Sequence, residues 1–291
     1  MRIQDQCLPC IINQVIKVAN IVGIDNKEKL LREAFTYLSK ISFEATTPEI
    51  IGDIFEIIKI HTNNPDPYKE TRNYYNNMFL KLIPDFEKKI EQADNPFQLA
   101  VKYAIVGNII DFNPIHNTLL DDIYDYFNKI DQLELAIDDS QILMKDVSNA
   151  KTLLYLGDNC GEICMDKILL KKIKELNPDA KLLFGVRGKP VINDSIAEDA
   201  YTVGIDEYAE IIDNGDGSLG TVIHRTSPKF KEAYDKADVV IAKGQANYEC
   251  LSEENKNIYF LLMSKCHVIA NDIGVEEKKM ICMRKCLNRP M

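Results

Sequence analysis

The sequence lacks a surplus of positive charge: 45 acidic residues stand against 35 basic ones, for a net charge of -10. Nucleic acids and anionic membranes are held by dense basic surfaces that release counterions. The charge balance therefore excludes both as partners, while a small ligand in a locally basic pocket stays compatible with it. Long apolar runs are also missing. No stretch approaches about 18 uncharged apolar residues, and the opening MRIQDQCLPC has no apolar centre of a secretion signal, so a cytoplasmic chain is expected. There is no Gly-x-x-x-x-Gly-Lys-Ser/Thr loop, and Gly215, Gly217 and Gly220 lack the Lys-Ser/Thr that would follow them in one. The four histidines, at 61, 116, 224 and 267, show no paired metal spacing. Internal repeats and low-complexity tracts are absent as well.

What is present is a chain of 291 residues, 46% of them apolar, long enough to bury a core without staples. Its eight cysteines, with no secretion signal, read as reduced thiols or ligands rather than as a disulfide scaffold. From residue 6 to about 147 the apolar residues recur at helical spacing, as in Ile11, Val15 and Val18 or Ile50, Ile54 and Ile58. Breaks at Gly23 to Lys27, Asn63 to Tyr68, Pro84 and Asp85, Asn95 to Phe97, and Asn113 to His116 divide this half into about six helices. After residue 150 the runs Thr152 to Leu156, Lys181 to Val186, Ala237 to Ala242 and His267 to Ala270 read as buried parallel strands. Helical stretches, notably Glu162 to Leu176 and Ser195 to Tyr201, alternate with them. The predicted architecture is α/β, with a helical region over 1–147 and an α/β domain with a mostly parallel sheet over 148–291.

Ligands of open α/β sheets bind beyond the carboxyl ends of the strands, so the residues after each strand carry the functional signal. The first strand runs into Gly157-Asp158-Asn159-Cys160-Gly161, the second into Arg187-Gly188-Lys189 and on to Asp194, and the third into Lys243-Gly244-Gln245-Ala246-Asn247. Carboxylate and amide oxygens suit a cation such as Mg²⁺ or Mn²⁺, and Arg187 and Lys243 suit phosphate oxygens. A metal beside a basic clamp is an arrangement for phosphoryl transfer. Asp158 has no second aspartate two residues on, so direct attack by water, oriented by Asp158 or Asp194, is expected over a phosphoaspartyl intermediate.

The segments LGDNCGEICMDKIL, VRGKPVINDSIAEDA, AKGQANYECL and VIANDIGV, with CLPC at 7–10, NPDPY at 64–68 and GNIIDF at 107–112, resemble the metal-dependent damage-control phosphatase family, ARMT-like or domain of unknown function 89. The resemblance spans essentially the whole chain. It implies a helical region packed on a Rossmann-like α/β/α sandwich, and metal ligands at Asp158, Asn159 and Asp194. It also implies substrate contacts from Asn108, Asp111, Glu162, Arg187, Lys243 and Asn247. The CxxC is similar to that of the stand-alone prokaryotic branch, and small phosphorylated metabolites, such as sugar phosphates, are the implied substrates. Cys160 departs from the small Ala or Ser usual in relatives, which allows a softer cation such as Co²⁺ or Ni²⁺.

Simpler explanations exist for each element. Asp158-Asn159 and Asp194 also suit turns and helix N-caps, and Gly107-Asn108 suits a helix C-cap. Cys7 and Cys10 share a helix face and are either small buried residues, a redox pair, or half of a zinc site completed by Cys282 and Cys286. Two other functions therefore stay open: an S-adenosylmethionine-dependent carboxyl methyltransferase on the same sheet, although the first loop lacks Gly-x-Gly, and a non-catalytic zinc or thiol interaction module.

Overall fold

The helical periodicity of the N-terminal stretch becomes α1 (Leu8–Ile21), α2 (Glu28–Leu38), α3 (Thr47–Thr62), α4 (Lys69–Leu80), α5 (Ile83–Glu91) and α6 (Pro96–Val106). The structure is a computed structural model that describes residues 1–107, 127 and 129–285. The break between α2 and α3 carries no glycine or proline and was not among those expected. A capping box marks its end: the Glu49 amide donates to Thr46 Oγ1 at 3.3 Å, and the Thr46 amide donates to Glu49 Oε2 at 2.8 Å, which satisfies two donors that a helix start leaves free. The core of α1–α3, built on Ile11, Val15, Val18, Ile54, Phe55 and Ile58, takes in Val191 and Ile192 from the second half of the chain. The first three helices thus cap a loop of the sheet. Residues of α4–α6 instead join the main core against one sheet face, with Phe79, Phe86, Tyr103 and Ile105 packed in the same cluster as Tyr155 and Phe184.

The sheet has seven strands: β1 (Leu135–Asp138), β2 (Thr152–Leu156), β3 (Lys181–Val186), β4 (Glu210–Asp213), β5 (Val239–Lys243), β6 (Ile258–Met263) and β7 (Met280–Arg284), in the order β1-β7-β6-β5-β2-β3-β4. Every neighbouring pair is parallel except β6 with β7. Alternate residues of the central strands feed two cores. Leu153, Tyr155, Phe184 and Ile241 face α6 and α8 (Glu162–Leu176), while Leu154, Leu156, Val240 and Ala242 face α10 (Pro228–Lys236) and α11 (Gly244–Leu251). Connections from β2 lead outward through β3 to β4, then return to the other side of β2 at β5. The order therefore reverses between β2 and β5, and that switch point is where open sheets form a crevice. The remaining helices are α7 (Ser140–Asn149), α9 (Ala197–Val203) and α12 (His267–Ile273). No helix among the described residues is long and apolar enough to cross a membrane.

Two expectations are corrected. The run from His267 to Ala270 is helical, not a strand: it opens α12, which buries Ile269 and Ile273 on one face and stops at Gly274 in the left-handed conformation, φ 84°. A four-residue apolar run carries no period of its own, and the glycine stop was the deciding signal. The sheet also draws β1 from 135–138, inside the stretch read as wholly helical.

Candidate active site

Two loops after adjacent strands are zipped together. Gly157 prolongs β2 by donating to Gly185 O at 3.0 Å; beyond it the Ser195 amide donates to Asp158 O and the Cys160 amide to Asn193 O, both at 2.8 Å. The resulting antiparallel bridge pairs Asn159 with Asp194, so residues from separate loops meet at the switch point. The second loop is strained: Ile192, a β-branched residue, sits at φ 43°, a conformation such side chains rarely adopt. It is held there by burial in the α1–α3 core and by Lys59 of α3, whose Nζ donates to Pro190 O at 3.0 Å.

Asp158, Asn159 and Asp194 border a cavity of about 790 Å³. Glu162, Arg187, Lys243 and Asn247 do not border it; they form a buried layer behind it. Asn108 and Asp111 lie outside the described residues. In the buried layer Arg187 Nε is 2.7 Å from Asp194 Oδ2, and its Nη2 is 3.7 Å from Asp158 Oδ1. Lys243 Nζ, wholly buried, is 2.5 Å from both Glu162 Oε1 and Asp166 Oδ1. Asn247 donates to Gly157 O at 3.2 Å and to Lys243 O at 2.7 Å, while its buried Oδ1 has no hydrogen-bond partner among the described residues. Asp166, which also accepts from Tyr155 Oη at 2.6 Å, is a member of this layer that the sequence did not single out.

The charges are crowded. Burial, then the negative charges of Asp194 and Glu162, push Asp158 up to about 8 against the pull of Arg187. Burial also raises Asp194, with Arg187 opposing it, and raises Asp166 to about 6 against the pull of Lys243. Burial disfavours the ammonium of Lys243, yet Asp166 and Glu162 outweigh it and its pKa rises. The donor set fits a divalent cation, because such an ion relieves this concentration of negative charge. Asn159 adds to the fit: its Nδ2 donates to Asp158 Oδ2 at 2.8 Å and Glu162 Oε2 at 3.0 Å, which fixes the amide and leaves its oxygen for a ligand. Among the described residues no group of three His, Cys, Asp or Glu side chains is arranged to hold a metal, so a cation held by Asp158 and Asp194 would draw on the amide as well.

Gly244 is what lets Asp158 lie here. It sits at φ 77°, and a Cβ on it would be 1.8 Å from Asp158 Oδ2. Gly244→Ala is therefore expected to displace the carboxylate, lower stability by about 1–3 kcal/mol, and reduce turnover more than a hundredfold, by roughly 3 kcal/mol; equilibrium unfolding and steady-state rates check the two effects separately.

Behind the loops lies a second buried network that sequence motifs pointed to without explaining. Arg72 of α4 pairs with Asp66 of the NPDPY segment at 2.7 Å and with Asp199 at 2.9 Å. Asn76 donates to Asp199 Oδ1 at 2.9 Å and accepts from the Gly161 amide at 2.7 Å. It thereby ties the turn into α8 to α4 and to the start of α9.

The cavity wall includes Cys7, Cys10 and Cys266, with Glu249 of α11. Plain burial of Cys7 and Cys10 is not observed: Cys10 is exposed and Cys7 half-buried. Cys282 lies in the sheet core, away from this wall, and Cys286 is outside the described residues, so a four-thiolate site with Cys282 is not formed. Burial pushes Glu249 up to about 7, although hydrogen bonds from Thr47 and Gln245 favour its ionised form. A carboxyl raised on folding contributes stability that is complete below its unfolded pKa and lost as pH rises through its folded one. Between about pH 4.5 and 7 the protein is therefore expected to lose on the order of 2 kcal/mol more stability than Glu249→Gln, read as urea midpoints at several pH values.

Comparison with known proteins places the chain in a family. Residues 3–281 match the family model of the damage-control phosphatase ARMT1-like domain. A damage-control phosphatase of Pyrococcus horikoshii is 35% identical over 289 residues, covering 98% of each chain. One of Archaeoglobus fulgidus is 33% identical, with 97% of this chain and 98% of the relative covered. The crystal structure of a DUF89 family protein from Pyrococcus horikoshii superposes with a TM-score of 0.91 at 32% identity, covering 98% of this chain and 100% of that one. With matches running from end to end in both sequence and fold, the chain belongs to the ARMT1-like damage-control phosphatase family.

Proposed function

We propose that this protein hydrolyses phosphate monoesters of small metabolites, with a divalent cation held by Asp158, Asn159 and Asp194. The observation that carries the reading is the meeting of two buried carboxylates and a fixed amide, from two zipped loops, on the floor of one large cavity. Relatives of the same length carry the name damage-control phosphatase, which supports the reaction class.

When bound, the cation would neutralise phosphate charge and make a water molecule more acidic. The chain's own residues do the rest. Asn159 and the carboxylates would hold the cation against which the ester phosphate sits. Asp158 or Asp194 orients the attacking water and accepts its proton as the bond from phosphorus to the ester oxygen breaks and the alcohol leaves, protonated from solvent. Arg187 holds Asp194 through Oδ2, and the Gly220 backbone also donates to this carboxyl. Lys243 holds Glu162 and Asp166 in place; Glu162 in turn accepts from Asn159. In this arrangement both cations already serve carboxylates, and contact with phosphate is an added role that requires Arg187 or Lys243 to share its charge. The test is phosphate release from p-nitrophenyl phosphate and a panel of sugar phosphates with Mg²⁺, Mn²⁺, Co²⁺ or Ni²⁺. Release with at least one cation is expected; silence with all of them overturns the reading.

A further inference from the structure

Three lysines of separate elements line the same cavity: Lys17 of α1, Lys265 just beyond β6, and Lys278 just before β7. The Lys278 amide donates to Ser264 O at 2.6 Å, which sets its backbone beside that of Lys265. Lys17 and Cys266 are both charge neighbours of Cys10, which brings α1 to the same wall. None of the three lysines has a salt-bridge partner among the described residues, in contrast to Arg187 and Lys243 behind the carboxylates, and Lys265 is near enough to Asp158 to favour its ionised form, which places this part of the wall beside the carboxylates. Lys278 is held at φ 61°, a left-handed conformation uncommon for lysine. Its loop is pinned by buried Ser264, whose Oγ donates to Glu276 O at 2.7 Å and accepts from the Lys279 amide at 3.0 Å. On a protein of net charge -10, cations without salt-bridge partners lining one cavity create a local positive field.

We infer that this wall is a second anion subsite, and that the substrate is a phosphomonoester carrying a further anionic group, phosphate or carboxylate. The inference rests on the hydrolytic reading above for which group reacts. A cavity of about 790 Å³ has room for such a metabolite alongside the reacting phosphate.

The experiment compares kcat/KM for glucose bisphosphate, phosphogluconate and glucose monophosphate in the wild-type protein and in the double variant Lys17→Gln, Lys278→Gln, whose fold is checked by thermal unfolding. The wild-type protein is expected to favour at least one doubly anionic ester roughly tenfold or more, and the variant to lose most of that preference. Which ester is favoured shows whether the second group is phosphate or carboxylate. A wild-type protein indifferent to the second anion, or a variant with the preference intact, overturns the subsite. If no ester is hydrolysed by either protein, the hydrolytic reading fails by itself. Calorimetric binding of glucose bisphosphate then decides the subsite: binding weakened roughly tenfold in the variant supports it, and binding that is absent or equal in both proteins overturns it.

Discussion

Asp158→Asn is expected to abolish phosphate release, by at least about a thousandfold or roughly 4 kcal/mol, while the unfolding midpoint in metal-free buffer stays the same or rises. The two halves of this expectation have one cause. Ionised Asp158 is buried beside Asp194 and Glu162, and burial with those two charges pushes it up to about 8. Its negative charge therefore works against the fold, and the proposed cation site accounts for its presence. The amide has the same shape and no charge, so the fold loses a repulsion while the proposed cation site loses a charged ligand. Asp194 is the informative contrast. It forms the close pair with Arg187 at 2.7 Å, and both side chains are 1% exposed. Asp194→Ala leaves a guanidinium buried without its main partner, a change that costs about 3–5 kcal/mol. Loss of activity in that variant would mix catalysis with folding. Phosphate release measured beside urea unfolding separates the two positions, and Asp158→Asn protein that remains active removes Asp158 from the ligand set.

How far the sequence leads depends on how locally each feature is specified. β2, β3 and α8 have the bounds that their residues predict, because central parallel strands are buried on both faces and read as continuous apolar runs, and Gly161 at φ 68° marks the entry to α8. The loops that carry Asp158, Asn159 and Asp194 follow directly from those strands, so the heart of the candidate site was legible. β6 obeys the same apolar rule over Ile258–Met263 and was equally accessible to it. β1 and β4 were not, since each has four residues and alternates or exposes half of them at a sheet edge. The Arg72–Asp199 contact joins residues 127 apart in sequence, and nothing local to either residue announces it. Lys265 and Cys266 border the cavity only because β6 places them there. The role of Lys243 changes for the same reason: a lysine at a strand end suggests a free cation, and only the packing of α8 against β5 brings Glu162 and Asp166 to it.

Lys243→Ala therefore becomes a test of folding as much as of catalysis. Had Lys243 stood free in the crevice, its removal would have weakened substrate binding and left the fold alone. In the structure its ammonium is wholly buried between two buried carboxylates at 2.5 Å each, and truncation leaves Glu162 and Asp166 facing each other without a cation. Breaking a buried pair in this way costs about 3–5 kcal/mol, so Lys243→Ala is expected to lower the urea midpoint sharply, with the largest loss at high pH, where Asp166, pushed only to about 6 by burial against Lys243, is ionised. Neutralising the partners discriminates between the roles. Lys243→Met combined with Glu162→Gln and Asp166→Asn removes all three charges, and swapping a buried ionic cluster for neutral groups is often nearly neutral for stability. Recovery of the midpoint without recovery of turnover would show that the cluster is retained for what it positions, since Glu162 is the link from Lys243 to the Asn159 amide. An unshifted midpoint in Lys243→Ala would instead mean that the ammonium does not sit between the two carboxylates.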